Sequence, residues 1–170
     1  MKIAATRVYE IITELINNDA VEIIKVLKNK SNVSEFKLAE DINREINVTR
    51  NLLYKLYDLN LVSFTRKKDQ KKGWYIHYWT FNKNEVRFLI VKYFKNKIEK
   101  LSERHEREQQ NQFYLCKSKC IRFNFEQSSD FEYKCPECGE LLNLEDNSGK
   151  ITQIDEEIKN LKKELKEVSE

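Results

Sequence analysis

The chain has 170 residues, of which 35% are charged and 40% are hydrophobic, and its formal net charge is +3. This length allows one domain or two small ones, and no apolar run is long enough to span a bilayer, so we expect a soluble protein. Three glycines and one proline favour a mostly helical fold. A net charge of +3 is small for a protein that lives on bare DNA.

Four helices are predicted in the first 60 residues, because apolar residues recur there at helical spacing. The first covers residues 3–17, and residues 17–19 break its pattern and begin the second. Ser34 is a favourable N-cap for the third helix. The fourth begins at residues 47–49 and ends at Asn60.

After Asn60 the apolar residues alternate, which predicts strands at residues 61–66 and 74–81 joined by a polar turn. Helices followed by such a hairpin predict a winged helix-turn-helix. The turn is basic and is flanked by aromatic residues. Phosphates attract the cations, and the rings could stack on unpaired bases. The candidate nucleic-acid or protein contacts are Arg66, Lys67, Lys68, Lys71, Lys72, Trp74 and Tyr75. The alternatives are a solvated turn that protects a sheet edge and, for the rings, a place in the core.

The helix before the wing offers few side chains for reading bases, since its only charged residues are Arg50, Lys55 and Asp58. This pattern favours a surface for protein or for weak backbone contact. The two histidines, His77 and His105, lie in an aromatic strand and a polar helix, where packing or surface roles are expected. With no phosphate-binding loop and no Ser/His/Asp arrangement, the sequence predicts that the protein is not an enzyme.

A long helix is predicted from Asn82, which would cap it, with an apolar stripe that ends at Leu101. Residues 102–112 are polar on every side and predict a solvated spacer that sets a distance between two modules. We therefore expect four parts. They are a winged-helix domain at 1–100, a helical linker at 101–112, a zinc-ribbon domain at 113–146 and a C-terminal amphipathic helix at 147–170.

All four cysteines fall within 23 residues, in two short-spaced pairs: Cys116, Cys120, Cys135 and Cys138. Such pairs predict one structural Zn²⁺ held by four thiolates, with no open position for a substrate. The alternative is two disulfides, which the absence of a secretory leader at the first residues disfavours. The first pair has one intervening residue more than the common knuckle. Residues 121–125 predict a strand that pairs with residues 131–134.

The last helix repeats apolar residues at intervals of three and four, from Ile151 to Val168. This seam has two equally good interpretations. The helix could dock on the rest of the chain, or it could associate with a partner or a second copy. The predicted fold is thus mostly α with small β. It comprises an N-terminal winged helix-turn-helix, a long connecting helix, a C-terminal Cys₄ zinc ribbon and a terminal amphipathic helix.

The order of these parts resembles archaeal transcription factor E, which is related to the alpha subunit of the eukaryotic general factor TFIIE. The resemblance extends to about residue 144. It depends on residues 51–57 before the wing, on residues 73–79 in the wing strand, and on the Phe113-Tyr114-x-Cys116 and Cys135-Pro136-x-Cys138-Gly139 edges of the ribbon. The first knuckle is longer than in the family, and His77 stands where an aromatic residue is expected.

The resemblance implies a factor that binds RNA polymerase at the clamp and near the stalk, together with TATA-binding protein and TFB. It implies a role in promoter melting and open-complex stability, with the winged helix near upstream DNA and the non-template strand, and a cytoplasmic, nucleoid-associated location. Carried over by position, the cysteines are zinc ligands and the wing residues contact DNA or the clamp. The competing hypotheses are a dimeric, sequence-specific winged-helix regulator and a zinc enzyme, against which the four thiolates argue.

Overall fold

The structure is a computed structural model that describes residues 5–70 and 73–169. The chain folds into two compact units, one comprising the residues up to Tyr93 with the last few residues, the other Phe94–Lys166. The predicted class is confirmed: the described part is mostly helical with two small antiparallel sheets. None of its helices is both long and apolar enough to cross a membrane. The predictions that involve Ile3, Lys71 and Lys72 lie outside the described residues.

The first unit is a winged helix-turn-helix. Its elements are α1 (Ala5–Leu15), α2 (Asn18–Leu27), β1 (Val33–Ser34), α3 (Glu35–Asp41), α4 (Ile46–Asp58), β2 (Val62–Lys68), β3 (Tyr75–Phe81) and the first turns of α5 (Glu85–Gln110). The sheet has the order β1-β3-β2, so the short strand β1, which the sequence did not predict, pairs with β3.

The helix ends follow from side chains that satisfy free backbone groups. Asn17 accepts a hydrogen bond from the amide of Ala20, and Ser34 accepts one from Lys37, which confirms both predicted caps. The fourth helix starts slightly earlier than predicted, at Ile46. The predicted cap at Asn82 is wrong. Its side chain instead donates to the Asn60 carbonyl and accepts from Ser63, joining the base of the hairpin.

The core of the first unit lies between its helices and one face of the sheet. Phe64 of β2 is directly opposite Trp79 of β3, so both side chains lie on the same face. Trp79 is fully buried, and the rings of Phe64, Tyr54 and Tyr57 lie 5.0, 5.8 and 6.5 Å from it. The side of the wing hairpin that packs on the helices is therefore the side that carries Trp79.

The second unit contains the rest of α5 and a small ribbon. Its further elements are β4 (Phe113–Cys116), β5 (Arg122–Asn124), α6 (Phe125–Asp130), β6 (Leu142–Leu144) and α7 (Ser148–Ser169), whose last residues belong to the first unit. β4 is the central strand, between β5 and β6.

The predicted pairing of residues 121–125 with 131–134 is wrong. Asn124 and Gln127 form a capping box that starts α6 where the strand was expected to continue, and Glu132 and Tyr133 have φ of 50° and 56°, which a strand does not allow. β5 pairs instead with β4, and Lys134 forms a single bridge with Leu141.

The apolar seam of α7 is covered within the chain. Ile154, Ile158 and Leu161 are buried. Lys97 and His105 of α5 lie 3.8 and 3.7 Å from the carboxylates of Glu157 and Asp155, so α7 runs beside α5. Of the two readings of the seam, docking on the chain itself is the one observed.

Candidate metal centre and nucleic-acid interface

The four cysteine sulfurs lie together, all within 4.8 Å of one another. Cys116 and Cys138 have Sγ atoms 3.4 Å apart. Sulfurs around a tetrahedral Zn²⁺ at about 2.3 Å would be separated by roughly 3.8 Å, so the cluster has the size that one such ion needs. The sequence placed all four residues in one site, and the structure brings them together.

The two cysteine loops have the same size despite their different spacing. The amide of Cys116 donates to the carbonyl of Ile121, five residues on, at 3.1 Å, and Cys135 donates equivalently to Glu140 at 2.8 Å. The extra residue of the first pair therefore does not lengthen its loop. It moves Cys120 one position later, to the place that Gly139 occupies in the second loop.

Left-handed backbone allows both loops to turn. Gly139 has φ of 76° after Cys138, and Lys119 has φ of 57° before Cys120. Glycine adopts this conformation without strain, whereas lysine does so at a cost. The unusual spacing of the first loop is thus accommodated by one strained residue.

The chemistry of the cluster suits a divalent cation. A hydrogen bond from the backbone amide of Glu140 lowers the pKa of the Cys138 thiol, but the adjoining Cys116 sulfur, burial, and the other two sulfurs raise it to about 12. Four thiols this close cannot all ionise next to one another without a positive charge among them. Cysteine binds metals as the thiolate, so the residues present fit a metal that would supply that charge.

A small apolar core supports the sulfurs. Cys116, Cys135 and Leu142 are buried, and Tyr114 and Phe123 pack against them. Cys120 and Cys138 are exposed. Each loop therefore contributes one buried and one exposed sulfur, an arrangement that is compatible with a structural metal site.

The wing presents its cations on both faces of the hairpin. Arg66 lies opposite His77, and its guanidinium is 4.4 Å from the ring of Tyr75. Lys67 points to the other face, where its ammonium lies 5.4 Å from the ring of Tyr78. Each cation is thus held over an aromatic ring. A phosphate backbone that followed one face would meet only part of the predicted basic set.

The rings beside the turn are exposed. Trp74 and Tyr75 are 53% and 52% exposed, so the alternative that places them in the core is wrong. With Phe36 of α3 and Arg50 of α4 they line an open depression on the surface. Phe36 was not singled out from the sequence, because only the tertiary fold brings α3 beside the wing.

The one arginine of α4 is already engaged. Arg50 donates to the carboxylate of Glu35 at 2.7 Å, and this hydrogen bond raises the pKa of Arg50. Glu35 is only 1% exposed, and its other oxygen lies 3.6 Å from Nδ1 of His77. Glu35 could not be singled out from the sequence, since a single glutamate at the start of a helix is commonplace. The pair leaves α4 with still fewer groups for reading bases.

The expectation of a fully solvated spacer is wrong at Glu108. Its side chain is 6% exposed and receives two hydrogen bonds from Arg122 of β5. A polar helix can bury one carboxylate where a guanidinium faces it. The helix end therefore supports the ribbon directly as well as setting a distance.

Comparison with known proteins agrees with this architecture. Residues 6–111 match the family model of the TFIIE alpha subunit. The chain belongs to the TFIIE alpha family. Transcription factor E of Methanocaldococcus jannaschii is 36% identical over 161 residues, which cover 94% of this chain and 93% of the relative. That of Metallosphaera sedula is 30% identical over 153 residues, covering 89% and 87%.

The TFIIE alpha family is a family of transcription factors and not of enzymes, so a general transcription factor role is supported. The match to the family model ends at residue 111, just after α5, whereas the two relatives also extend over the ribbon. A solved structure described as a possible transcriptional regulator from Methanosarcina mazei aligns with a TM-score of 0.49 and 15% identity, over 60% of this chain and 86% of that chain. Similarity at that level has no bearing on the site.

Proposed function

We propose that this chain is a general transcription initiation factor that binds RNA polymerase, promotes promoter melting and stabilises the open complex, with secondary contact to upstream or non-template DNA. The observation that carries this proposal is the 36% identity to a transcription factor E over 94% of the chain. The partners are the clamp and stalk of the polymerase, with TATA-binding protein and TFB in the same promoter complex.

The distribution of charge along the chain supports the proposal that contact with DNA is secondary to contact with protein. The net charge is +3, and the arginine of α4 is paired with Glu35. The basic and aromatic groups are concentrated at the wing, where Arg66, Lys67, Lys68, Trp74 and Tyr75 are exposed, and Lys71 and Lys72 extend the same stretch of sequence. A factor that is held mainly by RNA polymerase needs only such a local contact with DNA.

The four cysteines hold one structural Zn²⁺ in this proposal: Cys116, Cys120, Cys135 and Cys138. The ion supplies positive charge that keeps the sulfurs as thiolates and fixes the two loops of the ribbon. It has no part in a reaction. The proposed domains keep the limits 1–100, 101–112, 113–146 and 147–170.

Melting follows from differential affinity. A protein that binds the open complex more tightly than the closed one shifts the equilibrium between them by that difference. A preference of about 1.4 kcal/mol gives tenfold more open complex. Contacts between exposed rings and unpaired bases, which exist only when the duplex is open, can supply a preference of this size.

The first test is a pair of titrations of labelled full-length protein at about 150 mM salt, where weak duplex contacts are screened. One arm contains purified RNA polymerase from the source organism, and the other contains promoter duplex alone. Tight binding to polymerase with little binding to duplex is expected. Tight, sequence-dependent binding to duplex without polymerase would contradict the proposal and favour a dimeric regulator.

A further inference from the structure

The ribbon carries a group of five rings, of which two, Tyr114 and Phe123, also pack on the core around the cysteines. We call it the aromatic face, and it consists of Tyr114, Phe123, Phe125, Phe131 and Tyr133. Tyr114 and Tyr133 have centroids 5.1 Å apart, Phe123 and Phe131 are stacked at 5.3 Å, and Phe125 lies 6.5 Å from Tyr114. Phe125 and Phe131 are 53% and 46% exposed. Large exposed rings grouped in this way are typical of interaction sites.

The aromatic face is one side of the ribbon sheet. Tyr114 lies opposite Phe123 and Leu144 across the neighbouring strands, so these three side chains share that side. Leu115 lies opposite Arg122 on the other side, where Arg122 binds Glu108. The second side is therefore occupied by the contact with α5, while the aromatic face is open and rests on the apolar core that contains Cys116.

The rim of the aromatic face is acidic. Glu126 and Asp130 belong to α6, which begins at Phe125, and Glu132 follows Phe131. Within the described residues, the carboxylates of Glu126 and Asp130 form no ion pair. Residues 113–146 as a whole contain seven acidic and four basic side chains, a net charge of −3. Glu132 is paired with Lys134 at 3.2 Å, so the face combines rings with the two carboxylates of Glu126 and Asp130, which are unpaired among the described residues.

We propose that the aromatic face binds a basic segment of a partner protein, with Arg or Lys side chains beside aliphatic ones. Cations are attracted both to ring faces and to the carboxylates of Glu126 and Asp130. Nucleic acid would be repelled by the negative ribbon. A second copy of the chain would bring the same carboxylates together, which disfavours self-association. The inference rests on the proposed function in that RNA polymerase is the partner tested.

The test places a photoreactive benzoylphenylalanine at Phe131 of the full-length protein, or at Trp74 in a second preparation, and irradiates each with purified polymerase and promoter complexes. The expected product from Phe131 is a polymerase peptide with more Lys and Arg than Asp and Glu. Crosslinks to DNA, to a second copy or to an acidic peptide would overturn the inference. Crosslinking from Trp74 but not from Phe131 would overturn it and leave the proposed function standing. If neither position gave a crosslink, both the inference and the proposed function would be overturned.

A charge reversal tests the rim without disturbing the core. Glu126→Lys with Asp130→Lys should weaken polymerase binding about tenfold, and the loss should grow as salt is lowered. The matched control, Glu103→Lys with Glu156→Lys, makes the same change of net charge at two exposed helix positions and should stay within about twofold of wild type. Equal affinity in the two double variants would overturn the inference. Circular dichroism checks that both remain folded.

Discussion

Glu108 and Arg122 form a bidentate ion pair between the end of α5 and strand β5, with N–O distances of 2.9 and 2.7 Å. Asn147 donates to both the side chain and the carbonyl of Glu108 at 2.8 Å, and Arg122 also donates to Glu145. One network thus joins the connecting helix, the ribbon and the start of α7. Rigid attachment of the ribbon to α5 follows from these contacts.

Replacing Glu108 with glutamine should destabilise the second unit. The change keeps the shape but leaves the partly buried Arg122 with one carboxylate fewer, at a cost of about 2 kcal/mol. Amide exchange of residues 113–146 across a urea series measures it, because most tyrosines and both tryptophans lie in the first unit. Glu103→Gln, one exposed carboxylate removed from the same helix, is the control and should cost less than about 0.5 kcal/mol. Equal stability of the two variants would show that the pair contributes nothing.

The same pair predicts how stability depends on pH. The hydrogen bonds from Arg122 hold the pKa of Glu108 below its usual 4.5. A carboxyl whose folded pKa is depressed contributes its stabilisation above the unfolded pKa and loses it as pH falls through the folded pKa. The stability difference between wild type and Glu108→Gln should therefore be full near pH 7 and shrink below about pH 4.5. A difference that grew on acidification would contradict this assignment.

Removal of metal should unfold the ribbon and leave the winged helix folded. Chelation releases the charge that holds four thiolates together, and the small core around Cys116 and Leu142 is too small to fold alone. Amide exchange measured by mass spectrometry before and after chelation would locate the loss to residues 113–146. Cys116→Ser should resemble the chelated protein, whereas Ser118→Ala should resemble wild type. Exchange that increased equally in α1–α4 would show that the two units are not independent.

The end of α4 should be sensitive to backbone conformation at Asn60. Asn60 has φ of 59°, and its amide donates to the Tyr57 carbonyl while the Leu61 amide donates to Leu56, which is the bonding of a Schellman motif. Asn60→Ala should cost about 1 kcal/mol, because alanine is strained at this φ. Asn60→Gly should be within a few tenths of wild type. Thermal unfolding measures both, and a more stable alanine variant would contradict the strain argument.

Neutralising the wing should affect melting more than recruitment. Lys67, Lys68, Lys71 and Lys72 changed together to alanine should lower open-complex formation several-fold, since each lost phosphate contact removes salt-dependent affinity. Permanganate reactivity of promoter thymines measures melting, and a polymerase titration measures recruitment. The control replaces Lys162 and Lys163 of α7, which are exposed, with alanine and should leave open-complex formation close to wild type. Equal losses of melting and of polymerase binding would argue against a DNA role for the wing.

Local sequence signals were sufficient to predict the parts of the chain and their order. Apolar periodicity predicted the helices and the hairpin, and local capping residues such as Asn17 and Ser34 defined their ends, because these signals act between residues close in the chain. The cysteine spacing predicted the cluster for the same reason. Each of these features depends on contacts within a few residues or on a motif with a defined chemistry.

Features that depend on residues far apart in the chain could be recognised only in the folded protein. The ribbon pairing was mispredicted because α6 starts at Phe125 and β5 pairs back with β4, while β6, more than twenty residues after β4, pairs with its other edge. These strands have only three or four residues, too few to signal their partners. Burial of Glu108 required Arg122, and burial of Glu35 required Arg50. The apolar seam of α7 is buried in the folded chain, where two ion pairs also join α7 to α5. A carboxylate or an apolar stripe has the same sequence pattern whether water or protein covers it, so only the fold reveals which does.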